Sequence, residues 1–465
     1  MILKFAIKSA TIMHYKVNNM LKRKINEKLI EWYNKKSKKA LVVRGLRQVG
    51  KTYSVLLFAR EHYKNVVYIN FKNNRSMKEI FDGDLIVNNI TIDISAKMPT
   101  ATFEANETVI IFDEVQECQN ARASLKVFVE DGRYDVIATG SLLGIKGYNK
   151  KSSAGVPIGS EEMLYMYPLD FEEFLWAKGI SEEVINNVKE CFENKKQISP
   201  AIHNSFIRYF KEYICVGGLP EVVNTFLDTN DINKVYDMQR NLIEEYKDDF
   251  GKHLDQYENE KVNKTLLARI NRVFDSIPSQ LAKENKKFQF SKIEKKGRLE
   301  QYELSITWLC DYGLVKMCHN LSSLEAPLEG NKIDNIFKLY FADTGLFISM
   351  LDRGTAGEIL SGNLNIYKGA IYENIIADAF SKLERKLYYF HKDSGLEIDF
   401  VMNYKNRITL IEVKSRTGRT KSAKIILENY DKYHVQKCIK LGEYNIGEND
   451  EILTLPYYLA FLLKE

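Results

Sequence analysis

Eight residues, Gly45-Leu46-Arg47-Gln48-Val49-Gly50-Lys51-Thr52, carry the spacing GxxxxGK[ST], which suits the wrapping of a polyphosphate. Glycines at both ends let backbone N–H groups come close to phosphate oxygens. Lys51 is placed to reach the β and γ phosphates of a nucleotide, and the Thr52 hydroxyl to ligate Mg²⁺. The expected nucleotide-binding residues are therefore Gly45, Arg47, Gln48, Val49, Gly50, Lys51 and Thr52. The apolar run Ala40–Arg44 reads as a strand entering the loop, and 50–60 as the helix leaving it. A helix N-terminus at that point favours an anion. ATP and Mg²⁺ are the cofactors this chemistry implies.

A second segment, Val109-Ile110-Ile111-Phe112-Asp113-Glu114, is a buried strand ending in two acids. In a parallel sheet that end lies beside the phosphates. Asp113 is expected to hold Mg²⁺ through water, and Glu114 to polarise the attacking water as general base. Thr139-Gly140-Ser141 closes the next strand; Ser141, rather than Thr139, is the expected γ-phosphate sensor. The catalytic set is thus Glu114, Lys51 and Ser141. Arg122, on the helix after the acidic strand, is the candidate arginine finger.

A third constellation lies near the C-terminus. Asp399 and Glu412-Val413-Lys414 fall at the ends of two strand-like segments twelve residues apart, the length of a hairpin. Glu412 and Lys414 share a strand face because side chains alternate. Glu373, on the preceding helix, adds a third carboxylate. Carboxylates that converge repel one another unless a cation joins them. Oxygen-only ligation suits Mg²⁺ or Mn²⁺, so a second metal is expected here. Solvated charges on a hairpin give the same spacing, and the residues alone leave both readings open.

These groups need elements to hold them. Strands at Ala40–Arg44, 66–71, 108–112, 134–139 and 163–167 alternate with helices at 50–60 and 121–130, the pattern of an α/β fold with a parallel sheet. Beyond about 180 the strands stop. Residues 181–260 read as a helical, lid-like region. Residues 261–350 mix helices with short strands at 314–317 and 338–341, which suggests a winged helix. From about 365 a helix over 370–383 and strands at 386–390, 397–402 and 409–414 begin a further unit. The expected domains are 1–36 (N-terminal extension and basic amphipathic helix), 37–180 (the P-loop core), 181–260, 261–350 and 351–465. Met20, where the amphipathic pattern begins, is a candidate start beside Met1. The basic residues of 20–39 suit either a helix packed on the core or a nucleic-acid arm.

Composition bounds the rest. The chain has 465 residues, enough for about three domains. Lys and Arg number 67 against 62 Asp and Glu, a net charge of +5, too weak by itself to imply nucleic acid. A local cluster could do so: Lys283, Lys286, Lys287, Lys292, Lys295, Lys296 and Arg298, with Phe288 and Phe290 among them and only Glu284 and Glu294 as offsets. DNA is thus a candidate partner, and so is a second copy of the chain. The six cysteines form no CxxC motif, which points to reduced packing thiols, no zinc site and a cytoplasmic protein. The apolar tail 455–463 is far short of the roughly 20 residues a membrane helix needs, and the N-terminus is a poor signal peptide. No membrane partner is expected.

Several strings together resemble a known group. Arg44 to Thr52, Phe112-Asp113-Glu114-Val115-Gln116, Thr139-Gly140-Ser141-Leu142-Leu143-Gly144, Tyr167-Pro168-Leu169-Asp170-Phe171-Glu172-Glu173-Phe174-Leu175 and Val216-Gly217-Gly218-Leu219-Pro220-Glu221 recur in order in a large group of AAA-type ATPases of bacteria and archaea. The C-terminal half continues the resemblance through Phe341-Ala342-Asp343-Thr344-Gly345-Leu346, Glu397-Ile398-Asp399-Phe400 and Ile411-Glu412-Val413-Lys414-Ser415. The resemblance covers nearly all of the chain from Met20. It implies an AAA+ core, a winged-helix-like middle and a C-terminal α/β domain similar to PD-(D/E)xK (restriction-endonuclease-like) nucleases, with Glu373, Asp399, Glu412 and Lys414 as the nuclease-like site. Many relatives carry an arginine before the Tyr-Pro-Leu motif where this chain has Gly159-Ser160-Glu161-Glu162, so the source of an arginine finger stays open. Two functions follow as expectations. One is an ATP hydrolase whose nucleotide state controls a nucleic-acid-directed module; the other is a slow nucleotide switch with a C-terminal domain that binds without cutting.

Overall fold

The computed structural model describes residues 21–141, 159–254, 260–283, 286–363, 367–414, 420–449 and 451–464. The N-terminal extension up to Met20, Leu142-Leu143-Gly144, Glu284 and Ser415 lie outside them. Among the described residues thirteen strands form two sheets. Strands β1 (Ala40–Arg44), β2 (Asn65–Asn70), β3 (Thr108–Asp113), β4 (Asp135–Gly140) and β5 (Glu161–Tyr165) make a five-stranded sheet in the order β2-β3-β4-β1-β5. Every pair in it is parallel. β3 is buried along its whole length, as its unbroken apolar run requires of a strand covered on both faces. Helices α1 (Ile25–Tyr33), α2 (Lys51–His62), α3 (Val87–Lys97) and α4 (Gln119–Asp131) accompany this sheet. The pattern of alternating strands and helices thus predicts the parallel core well, although α3 gave no clear signal.

Five helices follow: α5 (Phe171–Ala177), α6 (Glu182–Glu193), α7 (Pro200–Val216), α8 (Pro220–Thr229) and α9 (Ile232–Leu254). Next come α10 (Glu260–Leu281), α11 (Leu299–Tyr312), β6 (Val315–Leu321) and β7 (Lys332–Phe341), then α12 (Thr344–Ser349), α13 (Thr355–Ser361) and α14 (Lys368–Lys382). The last strands are β8 (Leu387–His391), β9 (Glu397–Tyr404), β10 (Arg407–Val413), β11 (Lys437–Gly442), β12 (Gly447–Asn449) and β13 (Ile452–Pro456). The hairpin β6–β7 follows helices α10 and α11. It does not stand apart, because β6 pairs with β8 and carries the sheet across residue 350. The second sheet is mixed and eight-stranded, in the order β12-β13-β11-β10-β9-β8-β6-β7. Sequence pattern could not show this, since β6 and β8 are joined only by tertiary packing.

The glycine- and aspartate-containing strings that resist a catalytic reading turn out to knit these parts together. Leu169 N–H donates to Gly218 O (2.7 Å), and Gly218 N–H donates to Asp343 Oδ2 (2.7 Å). Asp343 Oδ1 also caps α12 through Leu346 N–H (3.1 Å). Lys382 Nζ, at the end of α14, donates to Leu169 O (3.0 Å), to Tyr213 Oη (2.8 Å) and to Asp378 Oδ2 (2.8 Å). Asp170 and Glu173 form a capping box at the start of α5, and Glu173 Oε1 accepts from the buried Arg23 (3.1 Å). The motifs therefore join the N-terminal segment, the parallel-sheet core, the helical region and the C-terminal sheet into one core.

Burial pushes Asp378 up to about 7, with Asp343 adding and Lys382 opposing. A free aspartate titrates near 3.9. A folded-state value above the unfolded one means that the stabilisation is complete below about 4 and lost as pH rises through 7. Urea unfolding should therefore show falling stability between pH 4 and 7, by up to about 4 kcal/mol from this group. Asp378→Asn should flatten that part of the profile; an unchanged slope would remove Asp378 as its cause.

Candidate functional site

The phosphate loop is built by close packing as well as by glycine freedom. A Cβ on Gly45 would stand 2.1 Å from Met166 O, the residue after β5. Gly45 is therefore required by backbone approach even without a ligand. Gly50 (φ 92°) caps α2 from the left-handed region, where an L side chain is strained. Lys51 Nζ donates to Gly45 O (3.0 Å) and Leu46 O (2.9 Å). Burial lowers its pKa to about 8, against the pull of Glu114 and Asp113. Arg23 Nη1 donates to Val49 O (2.9 Å) and Nη2 to Tyr167 O (2.7 Å). The basic N-terminal segment thus props the loop. Lys24 pairs with Asp170 (2.5 Å) and Glu172 (2.7 Å), so that its charge serves the core.

Asp113 is the hub of the site. Thr52 Oγ1 donates to its Oδ1 (2.9 Å), and Thr139 Oγ1 donates to the same oxygen. Tyr68 Oη and Asn70 Nδ2 both donate to Oδ2 (2.7 Å each). Asn70 is the register partner of Asp113 across the β2–β3 ladder. Tyr68 and Asn70 were missed in the sequence because the signal is register, which needs the sheet order. A hydroxyl and a carboxylate 2.9 Å apart form an oxygen donor pair of the kind Mg²⁺ takes. Thr52 and Asp113 would hold the ion, which would screen the charge of the β and γ phosphates.

Glu114 follows with a left-handed backbone (φ 54°) that turns it out of the strand, and its carboxylate accepts from Gln116 Nε2. Strand β4 lies between β3 and β1, which puts Thr139 and Ser141 beside the loop. Their partners differ: Thr139 is bound to Asp113, while Ser141 Oγ accepts from Arg47 Nε (3.3 Å). Arg47 is also ion-paired with Asp249 on α9. Tyr312 Oη, ending α11, donates to Asp249 Oδ2 (2.7 Å), and Tyr246 Oη donates to Arg47 O (3.1 Å). Gln48 reaches Glu245 of α9 (3.0 Å). Helix α9 therefore lies over the loop. Arg122 is gripped by Glu161 through Nε (2.9 Å) and Nη2 (3.0 Å). This places it within its own core, fastened to the segment where relatives carry a further arginine.

In the C-terminal unit, hairpin β9–β10 turns at Lys405-Asn406, both in the left-handed region, as a tight hairpin turn requires. It brings Asp399 next to Glu412 and Lys414. Lys414 Nζ is ion-paired with Glu412 and lies 3.9 Å from Asp399 Oδ2. Asp399 Oδ2 accepts from Val413 N–H (2.7 Å). Glu373 on α14 is buried close by, and its charge raises the pKa of Asp399. The four residues do converge. What neutralises them differs from expectation: Glu373 is ion-paired with Lys286 and lies 3.8 Å from Lys338, which also meets Glu397 (3.0 Å). Four carboxylates face three ammonium groups. Asp399 is the surplus acid, pushed up to about 7 by burial and by Glu373. Among the described residues no group of three His, Cys, Asp or Glu is arranged to hold a metal ion. Lys286 points inward, and Phe288 is core. Of the expected basic cluster, Lys286 is thus structural, while Lys292, Lys295, Lys296 and Arg298 remain exposed.

Residues 37–175 match the family model described as AAA domain. With the sheet order and the phosphate loop, this marks the N-terminal core as an AAA-type P-loop ATPase domain. Residues 207–356 and 368–458 match two models described as domains of unknown function (DUF8612 and DUF4143). An uncharacterised protein of Methanocaldococcus jannaschii is 27% identical over 212 residues, 45% of this chain and 40% of that protein; the match thus spans well under half of the relative's length. Among solved structures, a Walker-type ATPase of Pyrococcus abyssi is 15% identical, with TM-score 0.41, covering 71% of this chain and 96% of that one. A signal transduction ATPase with a tetratricopeptide repeat sensor, of Pyrococcus horikoshii, is 14% identical, with TM-score 0.26, covering 79% and 46%. Among the described residues no helix is long and apolar enough to cross a membrane.

Proposed function

We propose that this chain binds and hydrolyses ATP, and that its nucleotide state controls a nucleic-acid-directed C-terminal module. The observation that carries the reading is the chain of contacts Ser141–Arg47–Asp249–Tyr312. It starts at the γ-phosphate side of the loop, crosses the lid helix α9 and ends on α11, which runs into β6 of the eight-stranded sheet. A triphosphate drawing Arg47 or Ser141 towards itself would loosen Asp249 and so change the footing of α11. Within the ATP site, Lys51 binds the β and γ phosphates and Glu114, released from Gln116, takes the proton of the attacking water. Steady-state ATP turnover with and without single-stranded and duplex DNA tests the reading. Turnover that DNA leaves unchanged, with Asp249→Ala turning over like wild type, would defeat the control half of it.

The C-terminal module has two forms under this proposal. In the first, Glu373, Asp399, Glu412 and Lys414 make a PD-(D/E)xK-like site that takes Mg²⁺ or Mn²⁺ and cuts a phosphodiester. In the second, the module binds without cutting, and one observation favours it: Lys286, Lys338 and Lys414 already supply the neutralising charge. Calorimetry of the full chain with Mn²⁺ separates them. The first form predicts heat with proton release, because an ion held by Asp399 would displace its proton into the buffer, and Asp399→Ala should abolish both. Equal and negligible heat from wild type and variant selects the second. A second copy of the chain as partner is a separate proposal, tested by its mass in solution with and without ATP.

A further inference from the structure

Between the AAA core and the β6–β8 part of the second sheet lies an open groove of about 640 Å³. Six lysine and arginine side chains line it against two glutamates. The glutamates are engaged: Glu329 accepts from Lys386 (2.9 Å) and Tyr388 (2.5 Å) and pairs with Lys332 (2.9 Å), which holds its carboxyl down at about 2, and Glu384 pairs with Lys28 (3.2 Å). The other side of the groove is different in kind. Tyr165 and Tyr167 form a tilted ring pair with centroids 4.4 Å apart. Arg44 lies over Tyr165 at 5.7 Å, and Lys316 lies 5.4 and 5.7 Å from the two rings. Among the described residues no carboxylate pairs with Lys316, and the buried Arg44 Nε has no hydrogen-bond partner.

Resting on the nucleic-acid-directed reading above, we propose that this groove binds a single-stranded nucleic-acid segment, with phosphates on Arg44 and Lys316 and bases against the Tyr165–Tyr167 pair. Cations track a sugar-phosphate backbone, and aromatic faces accept any base; a groove combining the two suits a single strand. Its volume is that of a small-ligand pocket, too small for a duplex and sufficient for a few nucleotides. The ATP site does not use these side chains. The exposed Lys292, Lys295, Lys296 and Arg298 are the competing surface, but the rings nearest them in sequence, Phe288 and Phe290, pack against Phe337.

The test is fluorescence anisotropy of the full chain with a labelled oligothymidylate and a labelled oligouridylate of about 12 nucleotides, a length within the usual single-strand site range, across a salt series. Lys316→Glu should weaken binding roughly tenfold and flatten the slope of log affinity on log salt by about 0.7 for each phosphate that the variant no longer holds. The milder Lys316→Gln should give a smaller loss in the same direction, and matched melting temperatures show that both variants fold. Replacing Lys295, Lys296 and Arg298 together with Ala should leave affinity and slope unchanged. If that triple change abolishes binding while Lys316→Glu does nothing, the groove assignment is overturned and the nucleic-acid reading stands. If wild type binds neither oligonucleotide at low salt, both fall. Complete displacement by inorganic phosphate or a mononucleotide at equal phosphate concentration would make this a small-anion site and overturn the proposal.

Discussion

Lys51→Ala should weaken ATP binding by at least about a hundredfold, and Glu114→Gln should leave binding intact while slowing turnover by about 10² to 10⁴. Lys51 is buried in the loop and, among the described residues, has the carbonyls of Gly45 and Leu46 as hydrogen-bond acceptors. Exchanging those for two phosphates creates charge-assisted contacts worth roughly 3 kcal/mol, which is the hundredfold. Glu114 bears on the loop through its charge, which pulls on Lys51, while its carboxylate rests on Gln116. Losing a general base costs about 10² to 10⁴ in rate without removing a binding contact. Fluorescent-nucleotide titration measures the first variant and phosphate release the second. Normal turnover by Glu114→Gln would assign the base elsewhere.

The largest effect on stability is expected away from the nucleotide. Gly218→Ala should lower stability by about 3–5 kcal/mol and the melting temperature by about 5 °C or more. A Cβ there would stand 2.1 Å from Leu169 O and 2.7 Å from Leu169 N. Neither atom can give way alone. Leu169 N–H is bonded to Gly218 O, Leu169 O accepts from Tyr213 and Lys382, and Gly218 N–H is bonded to Asp343. The clash would therefore push on the AAA core, α7, α12 and α14 together. Calorimetric melting checks this. An unshifted melting temperature would mean that the Leu169–Gly218 contact is not the joint between the parts.

The AAA core was legible because its signals are local. The spacing of Gly45, Gly50, Lys51 and Thr52 defines a loop between a strand and a helix, and the run before Asp113 can only be a buried strand. Residues that act through register or distance were not legible. Asn70 and Tyr68 reach Asp113 because β2 lies beside β3, and nothing in the local string around them says so. Asp249 is some two hundred residues from Arg47 in sequence and reads as one acid among many on a helix. The basic cluster around Lys286 misled for the same reason. Charge runs read as surface, yet Lys286 turns inward to Glu373 because that buried carboxylate needs a counter-charge.

Local pattern settled the phosphate chemistry, the parallel order of strand and helix around it, and the hairpin that carries Asp399 and Glu412, since each depends on neighbours within a few turns of chain. Long-range packing settled the rest: which side chains complete the Asp113 hub, that β6 joins β8 to run one sheet through two apparent domains, and that three lysines, two of them from outside the hairpin, meet the C-terminal acids. The physical reason is the range of the forces. Periodicity and turn chemistry act along the chain, whereas counter-charge, register and close backbone approach depend on which distant segments the core brings within a few ångströms.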